Sequence, residues 1–221
     1  MSSAVPVTPP LRRDAQRNLE RILDAAREAF AEDGIEVGVD EIARRAGVGV
    51  GTLYRRFPTK EALIDAIVDR RADEIVALAD EAVAQEDPWE GLVHFLSGLL
   101  ARHARDRGFK ALIADRVAEG GRTTLRERLR PQLEMIVGRA QRAGALRDDL
   151  TIEDLTVLLW GAGRAVEITG DIAPDYWRRH LGILLDGLRA PRATPLAGPP
   201  LTAGQGDALT AAWAASCRSG R

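Results

Sequence analysis

Five basic side chains between residues 42 and 60 are the groups in this chain best suited to binding phosphate. They are Arg44, Arg45, Arg55, Arg56 and Lys60, and because the window contains no Asp or Glu its formal charge is +5. The whole chain of 221 residues has a formal net charge of −2, which alone would argue against a phosphate-binding protein. Phosphate binding depends on local positive charge, however. The window is therefore a candidate face for a nucleic-acid backbone, and a merely solvated face is the alternative.

Two short helices are predicted to position these cations, one from about Val39 to Ala46 and one from Val50 to Phe57. Between them lies Gly47-Val48-Gly49. Gly47 permits the positive φ of a tight turn, and the small side chain of Ala43 permits the two helices to cross closely. This pattern is typical of a helix-turn-helix, whose second helix, the recognition helix, enters the major groove of DNA.

The early residues of the second helix are predicted to face the bases. Thr52 can hydrogen-bond to a base or touch a thymine methyl group, and Arg55 can contact guanine or phosphate. Tyr54 and Lys60 are better placed for phosphate oxygens, since Lys60 lies beside a helix N-terminus that already favours anions. The predicted DNA contacts are Arg44, Arg45, Val50, Gly51, Thr52, Tyr54, Arg55 and Lys60.

The remaining sequence predicts an all-α fold of about nine helices. Apolar residues recur at three- and four-residue spacing, and no sustained two-residue alternation indicates a strand. A first helix is predicted from Asp14 to Asp33, where Gly34 is its left-handed stop. Thr59 is predicted to cap a long helix that ends near residue 87. Further helices are predicted at about 88–105, 108–119, 123–143, 152–169 and 174–189.

Four segments resemble the DNA-binding domain of TetR-family regulators. They are residues 22–26 (ILDAA), 30–34 (FAEDG), 40–48 (DEIARRAGV) and 51–63 (GTLYRRFPTKEAL), and the resemblance covers roughly residues 14 to 75. It implies an all-helical homodimer with a recognition helix in the major groove and a C-terminal domain that binds a small-molecule inducer. The family usually has Ser or Thr, which cap helices and touch phosphate, where this chain has Gly38 and Gly49.

Composition and the predicted helices, together with the resemblance, indicate how the chain is organised. We expect a flexible basic N-terminal arm (1–13), a helix-turn-helix domain (14–62), a helical ligand-binding and dimerisation domain (63–190) and a loosely held Pro/Gly-rich tail (191–221). In the family the last two long helices of each subunit form the dimer interface. The predicted dimerisation residues are accordingly Leu155, Leu159, Ala162, Trp177, Leu181, Leu184 and Leu188.

A set of apolar residues and one arginine in the C-terminal half could line an inducer pocket. Apolar residues at helical spacing are more often simply core, so both interpretations stay open. The candidate ligand-binding residues are Phe95, Leu99, Phe109, Ile113, Met135, Trp160 and Arg164.

Other classes of function have little support in the sequence. It contains no glycine-rich phosphate loop or nucleophile elbow, and its three histidines match no zinc-ligand spacing, so we expect no catalytic site, cofactor or metal. A single cysteine, the lack of a signal-peptide pattern and the lack of a long apolar run predict a cytoplasmic protein without a membrane span. The predicted function is that of a repressor released from a palindromic operator by an inducer. The alternative is a transcriptional activator or an architectural DNA-binding protein of the same fold.

Overall fold

The computed structural model describes residues 10–105, 125–191 and 193–218. Within these ranges the fold is built from helices and has no strand, which confirms the predicted all-α class. The nine helices described are α1 (Pro10–Asp33), α2 (Val39–Ala46), α3 (Val50–Arg56), α4 (Lys60–Ala84), α5 (Pro88–Arg105), α6 (Leu125–Arg142), α7 (Ile152–Thr169), α8 (Tyr176–Leu188) and α9 (Ala203–Arg218). The predicted helix at 108–119 lies outside the described residues.

Most helix ends lie where the sequence signals placed them. Gly34 has a φ of 79°, as expected of the left-handed residue after α1. The hydroxyl of Thr59 accepts a hydrogen bond from the backbone N–H of Ala62 at 3.1 Å, so it caps α4. Helix α1 begins at Pro10, inside the segment predicted to be a flexible arm, because proline is compatible with the first turn of a helix.

The chain divides into two compact units, Met1–Arg70 and Arg71–Arg221. The division falls within α4, further along the chain than the boundary predicted at residue 62. The core of the N-terminal unit is formed by apolar residues of its four helices, each nearly inaccessible to solvent: Ile22, Ala26, Phe30, Ile42, Ala43, Leu53, Leu63 and Ile67.

The core of the C-terminal unit is a single cluster of apolar residues from α4 to α8. Its largest fully buried side chains include Leu92, Phe95 and Leu96 of α5 and Leu155 of α7. The antiparallel bridge between Leu146 and Arg189 closes the loop after α6 against the end of α8. This core accounts for most of the apolar periodicity in the second half of the sequence.

The segment after α8 is tied to the C-terminal unit, whereas the sequence predicted a loosely held tail. The buried guanidinium of Arg147 donates to the carboxylate of Asp149 at 2.6 and 3.0 Å and to the carbonyl oxygen of Thr194 at 2.5 Å. The same carboxylate accepts from the backbone N–H of Leu196 at 2.9 Å. Composition alone missed these partners because they lie more than forty residues earlier in the chain.

Helix α9 lies against α7. The indole rings of Trp160 and Trp213 are stacked there, and a small cavity of about 10 Å³, room for about one water molecule, lies beside Trp160. We call residues 193–218 the C-terminal strap, since both of its ends are held by the rest of this unit.

Candidate nucleic-acid interface

Helices α2 and α3 form the predicted helix-turn-helix. Gly47 ends α2 with φ 62° and ψ 38°, the left-handed conformation that the sequence predicted. The N–H of Gly47 donates to the carbonyl of Arg44, and the N–H of Val48 donates to the carbonyl of Ala43, the pair of bonds of a Schellman motif. Ala43 is fully buried, as its small size suggested. The turn therefore has the geometry that a helix-turn-helix requires.

Arg21 of α1 contributes to this turn and was missed by the sequence analysis. Its guanidinium Nη2 donates to the carbonyl oxygens of Ala46 at 2.6 Å and Gly47 at 2.9 Å. These carbonyls stand at the C-terminal end of α2, where backbone acceptors lack partners within the helix. The spacing of 25 residues gave no local signal for this contact.

The outward side of α3 carries the residues expected to read DNA. Gly51, Tyr54, Arg55 and Arg56 are exposed, whereas Leu53 is buried in the core of the unit. In the part of the chain that the structure describes, neither Arg55 nor Arg56 has an ion-pair partner. Val50 and Thr52, which are predicted contacts as well, are partly exposed. An uncompensated positive charge on an exposed helix face is suited to a polyanion.

A cleft of about 390 Å³ separates α1 from α3. Its α1 wall combines apolar and polar side chains, and its α3 wall is polar or cationic. The lining residues are Asp14, Ala15, Asn18, Leu19, Ile22, Thr52, Arg55 and Arg56.

Lys60 is the first residue of α4, and its Nζ lies 5.9 Å from the centroid of the Phe30 ring. The long apolar stem of this half-buried side chain packs on the unit, and its ammonium remains at a helix N-terminus. Its predicted contact with phosphate stays a prediction.

Arg44 and Arg45 are compensated by carboxylates, so the charge of the 42–60 window overstates the free positive charge. Arg44 donates twice to Glu41, each time at 2.7 Å. Arg45 donates to Glu41 at 2.8 Å, to Glu32 at 2.7 Å and to Asp33 at 2.5 Å. The hydrogen bonds from Arg44 and Arg45 lower the pKa of Glu41 to about 2.

The two arginines therefore differ as candidate DNA contacts. The Arg45 side chain is 25% exposed and surrounded by three carboxylates, so we withdraw it from the predicted interface. The Arg44 side chain is 72% exposed and can still approach a phosphate, so its contact stays a prediction. The window missed this difference because Glu41 lies one residue before it and the other two carboxylates belong to α1.

The predicted ligand-binding residues lie in different surroundings. Phe95 is fully buried in the core and Leu99 packs against it, whereas Met135 is exposed. Trp160 stacks on Trp213, and Arg164 donates to Glu167 at 3.0 Å. Phe109 and Ile113 lie outside the described residues. Burial in the core, rather than a ligand, explains the apolar spacing at Phe95 and Leu99.

The predicted dimerisation residues face the core of their own unit. Leu155, Ala162, Trp177, Leu181 and Leu188 are buried there, and Leu159 and Leu184 are partly buried against the same cluster. The strongest apolar stripe of each helix thus packs inside the subunit, and a role of these residues in dimerisation stays a prediction.

A second face of α7 and α8 remains exposed. Apart from His180 its members are apolar or small, and they recur at three- and four-residue spacing, which places them on one side of each helix. The exposed members are Leu158, Gly161 and Ile168 on α7 and Tyr176, Ile183 and Gly187 on α8, and the partly exposed ones are Ala165 and His180. Ile168 is 63% exposed and Ile183 is 61% exposed, which is unusual for large apolar residues.

The described residues contain neither a cluster of metal ligands nor a membrane-spanning helix. No three His, Cys, Asp or Glu side chains of this part of the chain are grouped as metal ligands would be. None of the described helices combines the length and the apolarity that a bilayer-crossing segment requires.

Comparisons with known proteins agree with the geometry. The sequence profile described as "Bacterial regulatory proteins, tetR family" matches residues 22–67, and the profile described as "Transcriptional regulator SbtR-like, C-terminal domain" matches residues 87–190. A solved TetR transcription regulatory protein from Mycobacterium vanbaalenii is 36% identical and has a TM-score of 0.61, and the match covers 81% of this chain and 99% of that one.

Two further relatives give the same result. A solved TetR transcriptional regulator from Streptomyces coelicolor is 31% identical with a TM-score of 0.64, over 78% of this chain and 99% of that one. An HTH-type transcriptional regulator from Staphylococcus aureus (strain USA300) is 39% identical over 64 residues, which are 28% of this chain and 35% of that protein. The chain thus spans about a third of the length of the curated relatives it matches. All the proteins named here are described as regulators of transcription, not as enzymes.

Proposed function

Because this chain belongs to the TetR family of DNA-binding transcription regulators, we propose that it is a ligand-responsive repressor that leaves a palindromic operator when a small-molecule inducer binds. The observation that carries the proposal is the exposed face of α3. Arg55 and Arg56 lie there beside Thr52 and Tyr54, and neither arginine has an ion-pair partner among the described residues. A protein that acts on chromosomal operators would reside in the cytoplasm.

The proposed contacts have separate tasks. Thr52 and Arg55 would read base edges in the major groove, and Tyr54, Arg44 and Lys60 would hold phosphates and so fix the register. Arg56, which lies at the end of α3 and was not among the predicted contacts, joins the second set because it is exposed and uncompensated. Val50 and Gly51 would allow the start of α3 to approach the groove closely.

We propose that the active form is a homodimer joined through the exposed stripes of α7 and α8. Two recognition helices on one duplex must enter successive major grooves about 34 to 36 Å apart, which needs a fixed partner. An inducer that binds more tightly to a dimer with a different spacing would reduce operator binding. The reduction cannot exceed the difference in the inducer's affinity for the two forms of the dimer. Helix α4 carries residues of both units and is the element through which we propose the change passes.

Operator binding can be tested by gel shift with duplexes tiled over the region upstream of the gene. The wild-type protein should retard one duplex at a concentration that leaves the others free. Thr52→Ala and Arg55→Ala should weaken that complex by about 1 to 3 kcal/mol at particular base pairs, whereas an architectural protein would lose affinity evenly. The matched control is Arg142→Ala, an exposed arginine of α6. Failure to bind any duplex at low salt would contradict the proposal.

The proposed dimer surface can be tested by light scattering. Ile183→Asp should convert the dimer to a monomer, because a carboxylate would be buried without a partner at the centre of the α8 stripe. Leu196→Asp, on the exposed part of the C-terminal strap, should leave the dimer intact. If Ile183→Asp remains a dimer, the interface does not include the α8 stripe.

A further inference from the structure

We propose that Arg21 is a positioning residue for the recognition helix, one that holds the turn between α2 and α3 against α1. The inference rests on the proposed operator binding, since it concerns how α3 is presented to DNA. Arg21 would not touch a base or a phosphate. It would act through the two backbone carbonyls that it holds, those of Ala46 and Gly47.

Arg21 supplies bonds that the turn does not make for itself. The Schellman bonds use the carbonyls of Ala43 and Arg44, which leaves the carbonyls of Ala46 and Gly47 for another donor. A guanidinium at this point also meets the negative end of the α2 dipole, which favours a cation. The contact at 2.6 and 2.9 Å is therefore a charge-assisted one in a favourable place.

The turn needs such a contact because it is rich in glycine. Gly47 and Gly49 flank Val48, and Gly51 follows in the first turn of α3; glycine loses more conformational freedom on folding than other residues. Gly49 is the N-cap of α3 and provides no side-chain hydrogen bond to it. Without Arg21, the first residues of the recognition helix would depend on backbone bonds alone.

The contact made by Arg21 lies close to the exposed face of α3 that is proposed to bind DNA. Gly47 lies three residues before Val50, the first residue of α3. The cleft lies between α1 and α3, so the hydrogen bonds from Arg21 connect α1 to the turn that precedes α3 and not to α3 itself. A Cβ on Gly47 would lie 2.5 Å from Nη2 of Arg21, which shows how closely the guanidinium fits the backbone there.

Two other roles are open to an exposed arginine on α1: a direct contact with phosphate, and general stabilisation of the fold. They predict different results. Loss of a phosphate contact lowers the slope of log affinity against log salt by about 0.9 and weakens all duplexes alike. General destabilisation reduces the folded fraction and also affects all duplexes alike. Loss of positioning weakens the specific complex and leaves the salt slope and non-specific binding unchanged.

The experiment compares Arg21→Met with the wild-type chain on two probes, a duplex selected by the wild-type protein from a randomised pool and a scrambled duplex of equal length. We expect about 10-fold or greater loss on the selected duplex, an unchanged salt slope and unchanged binding to the scrambled duplex. Arg21→Lys should recover part of the loss, because an ammonium can donate to one of the carbonyls. The matched control is Arg27→Met on the same helix, where Arg27 pairs with Glu28 at 3.6 Å.

Three results would overturn the inference: affinity equal to wild type, a salt slope reduced by about one unit, or equal losses on both duplexes. If the wild-type protein selects no duplex, the proposed function fails and Arg21 is judged separately by hydrogen exchange of the free protein. Arg21→Met should then accelerate exchange of the amides of Thr52 and Leu53, which are bonded to the Gly49 carbonyl, and unchanged exchange would overturn the inference.

Discussion

Trp160 of α7 and Trp213 of α9 stack with their ring centroids 5.3 Å apart and their planes inclined by 10°. An aromatic pair of this kind contributes free energy beyond the apolar area that it buries. The stack joins the C-terminal strap to the core of its unit at the end remote from Arg147. The strap is thus part of the folded unit.

Replacing Trp213 by alanine should lower the free energy of unfolding by about 1 to 2 kcal/mol, because both the stack and its buried area are lost. Urea unfolding followed by fluorescence measures this, and the emission of the native state should shift to the red as Trp160 becomes hydrated. Ala208→Ser, on the exposed side of α9, is the matched control. An unchanged midpoint and spectrum would contradict the proposed stack.

The other attachment of the strap should depend on pH. The hydrogen bond from Arg147, with that from the N–H of Leu196, lowers the pKa of Asp149 from 3.8 to about 2. Because the pKa is lower in the folded chain, the ionised carboxylate stabilises the fold fully above pH 3.8, and this contribution is lost as the pH falls through about 2.

Asp149→Asn should therefore be less stable than wild type at pH 7, and the difference between them should narrow below pH 3.8. Urea midpoints at a series of pH values provide the measurement. Asp175→Asn, whose exposed carboxylate accepts from Arg178 at 3.4 Å, should shift the midpoint at pH 7 less. A difference that stays constant down to pH 2 would rule out this role for the Asp149 carboxylate.

Gly47 and Arg21 should be energetically coupled. Gly47→Ala places a Cβ in a left-handed backbone and against the guanidinium, so we expect a loss of about 1 to 2 kcal/mol in the free energy of unfolding from the backbone alone. In Arg21→Met the same change should be less harmful, because the guanidinium is gone. A double-mutant cycle by chemical unfolding measures the coupling, and additive losses would argue against the contact.

The same substitution at the two glycine N-caps should change stability equally but DNA binding differently. Gly38 and Gly49 both have extended backbones that serine adopts readily, with φ of −71° and −68°. Gly38→Ser and Gly49→Ser should each raise the free energy of unfolding by about 0.5 kcal/mol through a new cap and a less flexible unfolded chain. Only Gly49→Ser, at the start of the recognition helix, should also tighten operator binding in a gel shift. If both substitutions changed operator binding equally, the tighter binding could not be attributed to the cap of α3.

The exposed and the compensated arginines should behave differently towards salt. Arg56→Met and Lys60→Met should each reduce the slope of log affinity against log salt by up to about 0.9, since each loses a proposed phosphate contact. Arg45→Met should leave the slope unchanged and lower the stability of the N-terminal unit, because Glu32, Asp33 and Glu41 each lose the hydrogen bond from Arg45. Fluorescence anisotropy from about 50 to 200 mM salt distinguishes these outcomes, because log affinity falls linearly with log salt concentration. A reduced slope for Arg45→Met would indicate that Arg45 contacts a phosphate after all.

Local signals in the sequence predicted the helix-turn-helix well. The positive φ of Gly47, the burial of Ala43 and the cap at Thr59 depend on neighbours within a few residues, so the sequence pattern contains them. The all-α class was predictable as well, because apolar residues recur at three- and four-residue spacing.

Contacts between distant segments were beyond such signals. The partners of Arg45 on α1 and the carbonyls held by Arg21 depend on how α1 packs on α2. The exposed stripe of α7 and α8 was missed for another reason: a helix with two apolar faces shows its core face most strongly in the sequence, and only burial identified Ile168 and Ile183 as exposed. The strap was missed because Arg147 and Asp149 lie far from it in sequence.

The most direct test of the proposal is a hydroxyl-radical footprint of the wild-type protein on its selected duplex. The proposed homodimer should protect two segments about 10 to 10.5 base pairs apart, centre to centre, with symmetry that matches a palindrome. Arg55→Ala should remove both protected segments together at the same protein concentration. A continuous or unprotected pattern for the wild-type chain would contradict operator reading by α3.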